Sequence, residues 1–191
     1  MYQVAADKIN KRQPLDTMDA LDIFAREGDW HSAYLTSRVK NLTAWEVKEA
    51  HEAKLRQNFP EADVKICDSY EEIKRTDKIF DLVVIDNNLL GTTHVEHFDL
   101  YPQLFRILKP RAFVVQNVIP DPYMYRPMVA DEVQKRRKEF YSSSSDIVPL
   151  PYIIRRYHIL ATKNGHIVRW DHVSPWNGGG VFTHMMEILH A

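Results

Sequence analysis

The chain has 191 residues, a formal net charge of −1, 45% hydrophobic and 27% charged residues, which is the composition of an ordinary globular protein. The near-neutral charge gives no overall attraction to nucleic acid or to an anionic membrane, and no uninterrupted apolar run is long enough to span a bilayer. Cys67 is the only cysteine, which excludes an intramolecular disulfide, and residues 1–14 lack the apolar core of a signal peptide, so we expect a cytoplasmic protein.

The length favours one domain over residues 1–191, with a core over 19–119 and a completion of the sheet over 120–191. Residues 1–18 are a polar lead-in, in which a short helix could precede Pro14, and strands and helices alternate after it. Strands are predicted over 19–24, 41–46, 64–67, 81–86 and 112–118, and helices over 29–39, 48–58, 69–76 and 96–108. This alternation predicts an α/β fold, a mostly parallel sheet with helices on both faces.

The rhythm changes after Pro120. A charged helix is predicted over residues 128–141, followed by a β-hairpin of 152–162 and 166–173 around Lys163-Asn164-Gly165. Residues 181–189 are a final strand or helix. Between the predicted hairpin and this last element, residues 174–180 contain Trp176 and three consecutive glycines. This composition fits either a mobile flap over a substrate or a plain exposed turn.

Acidic residues recur where successive predicted strands end: Asp22, Glu46, Asp68 and Asp86. The carboxyl ends of parallel strands meet at one edge of a sheet, and carboxylate oxygens accept hydrogen bonds from ribose hydroxyls. The pattern therefore indicates a site for a nucleotide-like ligand. Simpler structural roles remain open for two of the residues, because Asp68 could cap the following helix and Asp86 could form an Asx-turn.

The order of these elements over about residues 19–119 resembles the class I S-adenosylmethionine-dependent methyltransferases, which have a Rossmann-like fold. Three phrases carry the resemblance: Asp22-Ile23-Phe24-Ala25-Arg26-Glu27-Gly28 after the first strand, Phe80-Asp81-Leu82-Val83-Val84-Ile85-Asp86, and Leu108-Lys109-Pro110. The resemblance implies an enzyme that uses S-adenosylmethionine as cofactor, with a small molecule or a nucleic acid as methyl acceptor.

The same resemblance implies a role for each site residue. Asp22, Phe24, Ala25 and Gly28 belong to the cofactor-binding loop, Glu46 accepts both ribose hydroxyls, and Asp68 contacts the adenine amino group. Asp86 lies where substrate and methyl group meet, and it is the candidate catalytic residue, orienting the acceptor or taking its proton.

One position departs from the pattern, because Arg26 stands where the family has a glycine. A side chain here could crowd the methionine part of the cofactor, and we expect it to point out of the pocket. If it fills the pocket instead, we expect weak cofactor binding that Arg26→Gly improves. The alternative to an enzyme is a non-catalytic S-adenosylmethionine- or nucleotide-binding protein of the same fold, which lost turnover through Arg26.

Other site types are less well supported by the residues. No lysine-bearing phosphate loop is present, and the single glycine of the first loop is fewer than a dinucleotide-binding loop needs. His94, Glu96, His97 and Asp99 match no strong metal motif, and we expect a solvated helix start there. Asp86 with Gln116-Asn117 lacks the second carboxylate that a hard ion prefers, so no metal is predicted. The basic residues 135–138, with Arg155-Arg156, are either a nucleic-acid patch or a solvated helix face.

Overall fold

The structure is a computed structural model that describes residues 2–86, 94–125, 128–176 and 180–191. Its strands are β1 (Asp19–Asp22), β2 (Asn41–Glu46), β3 (Asp63–Ile66), β4 (Phe80–Ile85), β5 (Leu108–Val118), β6 (His166–Pro175) and β7 (Phe182–His190). Its α-helices are α1 (Tyr2–Asn10), α2 (Ala33–Thr36), α3 (Glu52–Asn58), α4 (Ser69–Arg75), α5 (Tyr101–Leu104), α6 (Pro122–Tyr125), α7 (Asp131–Tyr141) and α8 (Leu150–Lys163).

All seven of these strands belong to one sheet in the order β3-β2-β1-β4-β5-β7-β6. The first five pair in parallel, and β7 lies antiparallel between β5 and β6. Strand order reverses between β1 and β4, and ligands of open parallel sheets bind outside the carboxyl ends of strands at such a point. The predicted mostly parallel sheet with a C-terminal β-hairpin is confirmed.

Helices cover both faces of the sheet, as the alternating pattern predicted. Side chains of α1, α2 and α3 pack on one face, and those of α4, α5, α7 and α8 pack on the other. Strand β4 is buried along its whole length, which explains its continuous apolar sequence. Within the described ranges, no helix is both long and apolar enough to cross a membrane.

The hairpin is built from different strands than predicted. Residues 152–162 are not a strand but most of helix α8, and the hairpin is formed by β6 and β7. The β-branched and aromatic residues near Tyr152 favoured a strand. The buried residues of the segment are Ile153, Tyr157 and Ala161, and this spacing of four is helical.

Other boundaries also differ from the sequence predictions. The short helix considered before Pro14 is present as α1, whose buried face carries Tyr2, Ala5, Ala6 and Ile9. The helix predicted over 29–39 is reduced to the single turn α2. The helix predicted over 96–108 is confirmed in most of its length, but only α5 is α-helical, between 3-10 helices over Phe98–Leu100 and Phe105–Ile107. The undecided last element is strand β7. Of the proposed flap, residues 177–179 lie outside the described residues, so the flap stays a prediction.

Candidate functional site at the carboxyl edge of the sheet

The acidic residues singled out in the sequence lie at one edge of the sheet. Asp22 and Glu46 end β1 and β2, while Asp68 and Asp86 follow β3 and β4. Asp22, Glu46 and Asp86 are 2%, 6% and 7% exposed, whereas Asp68 is exposed to solvent. The topology therefore brings three nearly buried carboxyl groups to the point where strand order reverses.

Asp22 and Asp86 form a buried pair of carboxyl groups on adjacent strands. Burial, with a smaller contribution from the charge of Asp22, raises the pKa of Asp86 to about 7. Burial also raises the pKa of Asp22 to about 6, against the opposing effect of hydrogen bonds from Ser32 and the Phe24 backbone. Asp22 Oδ1 is buried and has no hydrogen-bond partner among the described residues. Ionising this buried pair costs free energy, and a cation of a ligand beside the pair would offset that cost.

The loop after β1 is held between the ends of β1 and β2. The Ala25 amide donates to the carbonyl of Trp45 at 3.0 Å, and the Phe24 ring packs 5.8 Å from that of Tyr70. Gly28 has a φ of +71°, and a Cβ there would lie 2.6 Å from the Phe59 ring. The position therefore needs glycine for its backbone conformation and its packing, whatever it contributes to ligand binding.

Arg26 adopts a left-handed backbone conformation with a φ of +52°. Glycine, the residue expected here from the resemblance, adopts this conformation without strain. Its side chain is exposed, with the guanidinium carbon 4.4 Å from the centre of the Trp30 ring. This agrees with the outward orientation expected from the sequence, although its charge still lowers the pKa of Asp86.

We expect Arg26→Gly to change stability by less than about 1 kcal/mol, because relief of left-handed strain is offset by the lost cation–π contact and added chain entropy. Affinity for S-adenosylmethionine, measured by calorimetry, should stay within about threefold of the parent. The matched variant Arg26→Ala keeps the strain and loses the contact, so it should be the less stable of the two. Marked tightening of binding by Arg26→Gly would mean that the arginine occludes the site.

Glu46 ties the two strand ends together. Its Oε2 accepts from the Arg26 amide at 2.8 Å, its Oε1 accepts from the Lys48 amide at 2.8 Å, and His51 Nδ1 lies 3.4 Å from Oε1. Each carboxylate oxygen has a second lone pair, so both can still accept a ligand hydroxyl. Glu46 is thus already oriented by the backbone on either side of it.

Asp68 has the capping role that the sequence left open. It is the N-cap of α4, where its Oδ1 accepts from the Tyr70 amide at 2.9 Å. Ser69, the other capping candidate, instead donates its hydroxyl to the Ile23 carbonyl at 2.6 Å. The contact of Asp68 with an adenine amino group remains a prediction.

Two further groups lie at the site: Asn117, which the sequence raised only as part of a rejected metal pair with Gln116, and Tyr2, which the sequence did not single out. Asn117, at the end of β5, donates from Nδ2 to Asp86 Oδ1 at 3.0 Å, whereas its neighbour Gln116 points to the opposite face and accepts from the Tyr101 hydroxyl. Tyr2, from α1, is 1% exposed, and its pKa is raised by burial and by the charges of Asp86 and Asp22. No local motif marks Tyr2, because only the packing of α1 brings it to the strand ends.

The expectation of a solvated helix start at residues 94–99 was wrong for its two central members. Glu96 and His97 are fully buried. Glu96 forms an ion pair with Arg137 and accepts a hydrogen bond from the Tyr141 hydroxyl at 2.9 Å. The Nε2 atom of His97 lies 2.6 Å from the Tyr157 hydroxyl. Burial lowers the pKa of His97 to about 3, so it is neutral. Within the described part of the chain, no group of three or more metal-ligating side chains is placed to hold an ion.

No family model and no curated protein matches the sequence. Solved structures match the fold across almost the whole chain. The plantazolicin methyltransferase BamL, in complex with a triazolic desmethylPZN analogue and SAH, has a TM-score of 0.65 at 12% identity, covering 100% of this chain and 84% of that one. The N-methyltransferase NodS from Bradyrhizobium japonicum WM9, in complex with S-adenosyl-L-homocysteine, has a TM-score of 0.62 at 12% identity, covering 97% and 85%.

A third match is TYW2 from M. jannaschii in complex with AdoMet, with a TM-score of 0.55 at 18% identity, covering 97% of this chain and 76% of that one. At such identities the likeness establishes the fold. The chain therefore has the fold of the class I methyltransferases, as the resemblance implied.

Proposed function

We propose that the protein binds S-adenosylmethionine at the carboxyl edge of the sheet and transfers its methyl group to an acceptor. The observation that carries the proposal is the buried pair Asp22 and Asp86, with pKa values raised to about 6 and 7 at the ends of adjacent strands. S-adenosylmethionine carries a sulfonium and an amino group, and a cation beside the pair would favour its ionised form. The structural neighbours crystallised with this cofactor or its product support the choice of ligand.

The proposed roles follow the position of each residue. Glu46 accepts the ribose hydroxyls, Asp68 contacts the adenine amino group, and the loop with Phe24, Ala25 and Gly28 borders the cofactor. Asp86, the proposed catalytic residue, lies beside the transferred methyl group. These assignments are supported by the common edge on which the residues lie and by the backbone bonds that orient Glu46.

When bound, S-adenosylmethionine would be held by Asp22, Glu46 and the loop after β1, and it would supply an activated methyl group to the acceptor. The chain's contribution is to orient the acceptor and to provide a preorganised polar site with little water. Asp86 is suited to take a proton, because burial raises its pKa to about 7, near neutral pH. Asn117 donates to Oδ1 of Asp86 and so orients the carboxyl group.

We expect Glu46→Ala to weaken binding of S-adenosylhomocysteine by about 1–3 kcal/mol, because a buried charge-assisted hydrogen-bond acceptor is removed. Calorimetric titration of the parent and the variant measures this. A 2′-deoxy analogue of the ligand makes the test specific. The parent should bind the analogue about tenfold more weakly than the full ligand, and Glu46→Ala should bind both equally well.

The exposed Glu61 offers a matched control, and Glu61→Ala should behave as the parent. If Glu46→Ala still discriminates between the two ligands as strongly as the parent, Glu46 does not hold the ribose and serves only to join the strand ends.

The function itself is tested in two steps. Calorimetry with S-adenosylmethionine asks whether the parent binds it, and failure to bind at 1 mM would overturn the proposal. Release of S-adenosylhomocysteine in the presence of a pool of candidate acceptors then separates an enzyme from a non-catalytic binding protein of the same fold. Binding without release for any acceptor would favour the binding protein.

The acceptor class, small molecule or nucleic acid, is left to that experiment. The basic run at residues 135–138 gives limited support for nucleic acid, because three of its four cations have acidic partners within the protein. Arg136 pairs with Asp99, Arg137 with Glu96 and Lys138 with Asp146. Cations already paired within the chain contribute less to phosphate binding.

A further inference from the structure

Tyr2 is a buried polar group that the proposed mechanism does not yet use. It begins α1, and its side chain packs on the sheet face that carries Asp22 and Asp86. Neither the Tyr2 hydroxyl nor Asp86 Oδ2 has a hydrogen bond of good geometry among the described residues. The hydroxyl is nevertheless close enough to Asp86 for each group to shift the pKa of the other. Two buried polar atoms without a hydrogen-bond partner among the described residues therefore lie on the same face of the sheet at its carboxyl edge.

The position of Tyr2 is well determined by its surroundings. Ala5, Ala6 and Ile9 of the same helix are fully buried beneath it. Its ring lies parallel to that of His31 with centroids 6.4 Å apart, and His31 in turn meets the Trp176 ring at 4.5 Å. The hydroxyl is thus presented to the carboxyl pair by a packed helix and an aromatic cluster rather than by a free side chain.

We propose that Tyr2 is a positioning residue of the methyl-donor site, whose hydroxyl donates to the ionised Asp86 carboxylate and holds it toward the ligand cation. The inference rests on the proposed function. Burial keeps the pKa of Tyr2 well above its ordinary value, so the hydroxyl remains a proton donor at neutral pH. A donated hydrogen bond favours the charged form of Asp86.

This role has a consequence that a core tyrosine would not have. The charge of Asp22 raises the pKa of Asp86, and the charge of Arg26 lowers it, as does the nearby Tyr2 hydroxyl. Without the hydroxyl, Asp86 should ionise at a pH about one unit higher. Binding of a cation to the carboxylate should then weaken at a higher pH than in the parent.

The test is calorimetric titration of S-adenosylmethionine into the parent, Tyr2→Phe and the control Tyr152→Phe at pH 6 and pH 8.5. Tyr152 is 65% exposed on α8, so its variant should follow the parent at both pH values. Tyr2→Phe should bind within about twofold of the parent at pH 8.5 and about tenfold more weakly at pH 6. The α-amino group of the ligand also titrates in this range, so variants are compared at the same pH.

A second measurement shows whether Tyr2 acts through Asp86. In an Asp86→Asn background, Tyr2→Phe should no longer change the pH dependence of binding. A measurement on the parent protein does not depend on whether a variant folds. In a pH titration, the NMR chemical shifts of the Tyr2 ring carbons should change with the same midpoint as the chemical shift of the Asp86 carboxyl carbon.

The outcomes separate the two proposals. A parent that does not bind the ligand overturns the proposed function. A parent that binds, with Tyr2→Phe equally affected at both pH values, overturns only the role of Tyr2 and leaves it a packing residue. Tighter ligand binding by Tyr2→Phe at both pH values would also overturn the proposed role of Tyr2, because the hydroxyl would then weaken binding in the parent.

Discussion

Asp86→Asn should make the ligand-free protein more stable at pH 8 by about 1–3 kcal/mol, while it weakens binding of S-adenosylmethionine. Burial raises the pKa of Asp86 from 3.8 to about 7. Between about pH 4 and pH 7 the folded protein therefore binds more protons at this group than the unfolded chain does, and its contribution to stability falls as the pH rises through that range. Asparagine has the same shape and no charge, so it avoids this loss.

Urea unfolding of the parent and the variant at pH 5 and pH 8 measures the effect. The stability advantage of Asp86→Asn should be small at pH 5, where most of the parent carboxyl is protonated, and larger at pH 8. Asp16→Asn on the surface is the control and should give no such trend. An Asp86→Asn variant that is less stable than the parent at pH 8 would show that this carboxyl is not strained in the ligand-free fold.

Arg137→Met should destabilise the protein by about 3–5 kcal/mol, because it leaves the carboxylate of Glu96 buried without its cation. Both partners are 0% exposed, and Arg137 also donates to the Ile119 carbonyl at 2.7 Å. The double variant Glu96→Gln with Arg137→Met removes both charges and should recover a large part of the loss. Denaturant unfolding of the two single variants and the double variant, arranged as a double-mutant cycle, measures the coupling.

The adjacent Arg136 provides the matched control. It pairs with Asp99, and the two side chains are 28% and 34% exposed, so Arg136→Met should cost less than about 1 kcal/mol. Equal losses of unfolding free energy for Arg136→Met and Arg137→Met would show that the buried ion pair contributes no more to stability than the partly exposed one. The ion pair joins Glu96, which lies in the segment before α5, to α7.

The parallel core of the fold could be predicted because its signals are local. Continuous apolar runs such as residues 81–86 mark strands buried on both faces, and an acidic residue after each run marks the edge at which the strands end. Prediction failed where a local preference opposed the tertiary packing. Residues 152–162 have the β-branched and aromatic composition of a strand, but a helix buries Ile153, Tyr157 and Ala161 on one face.

The site divides in the same way. Asp22, Glu46, Asp68 and Asp86 could be placed on one edge from the sequence, because strand ends in a parallel sheet share an edge whatever the loops do. Their raised pKa values, where present, depend on burial by segments distant in sequence, which no local pattern reports. The same holds for Glu96, which looked exposed beside charged and polar neighbours until its partner Arg137 was located on α7.

By itself the sequence determined the alternation of strands and helices, the edge that carries the carboxyl groups and the departure at Arg26, since each depends on neighbours along the chain. Tertiary structure alone decided that Tyr2 is buried on the face that carries Asp86, that Asn117 donates to Asp86, and that Glu96 is buried against Arg137. The residues of each of these pairs are at least 31 positions apart in the sequence. These pairs exist only because packing the helices on the sheet removes water from both partners at once.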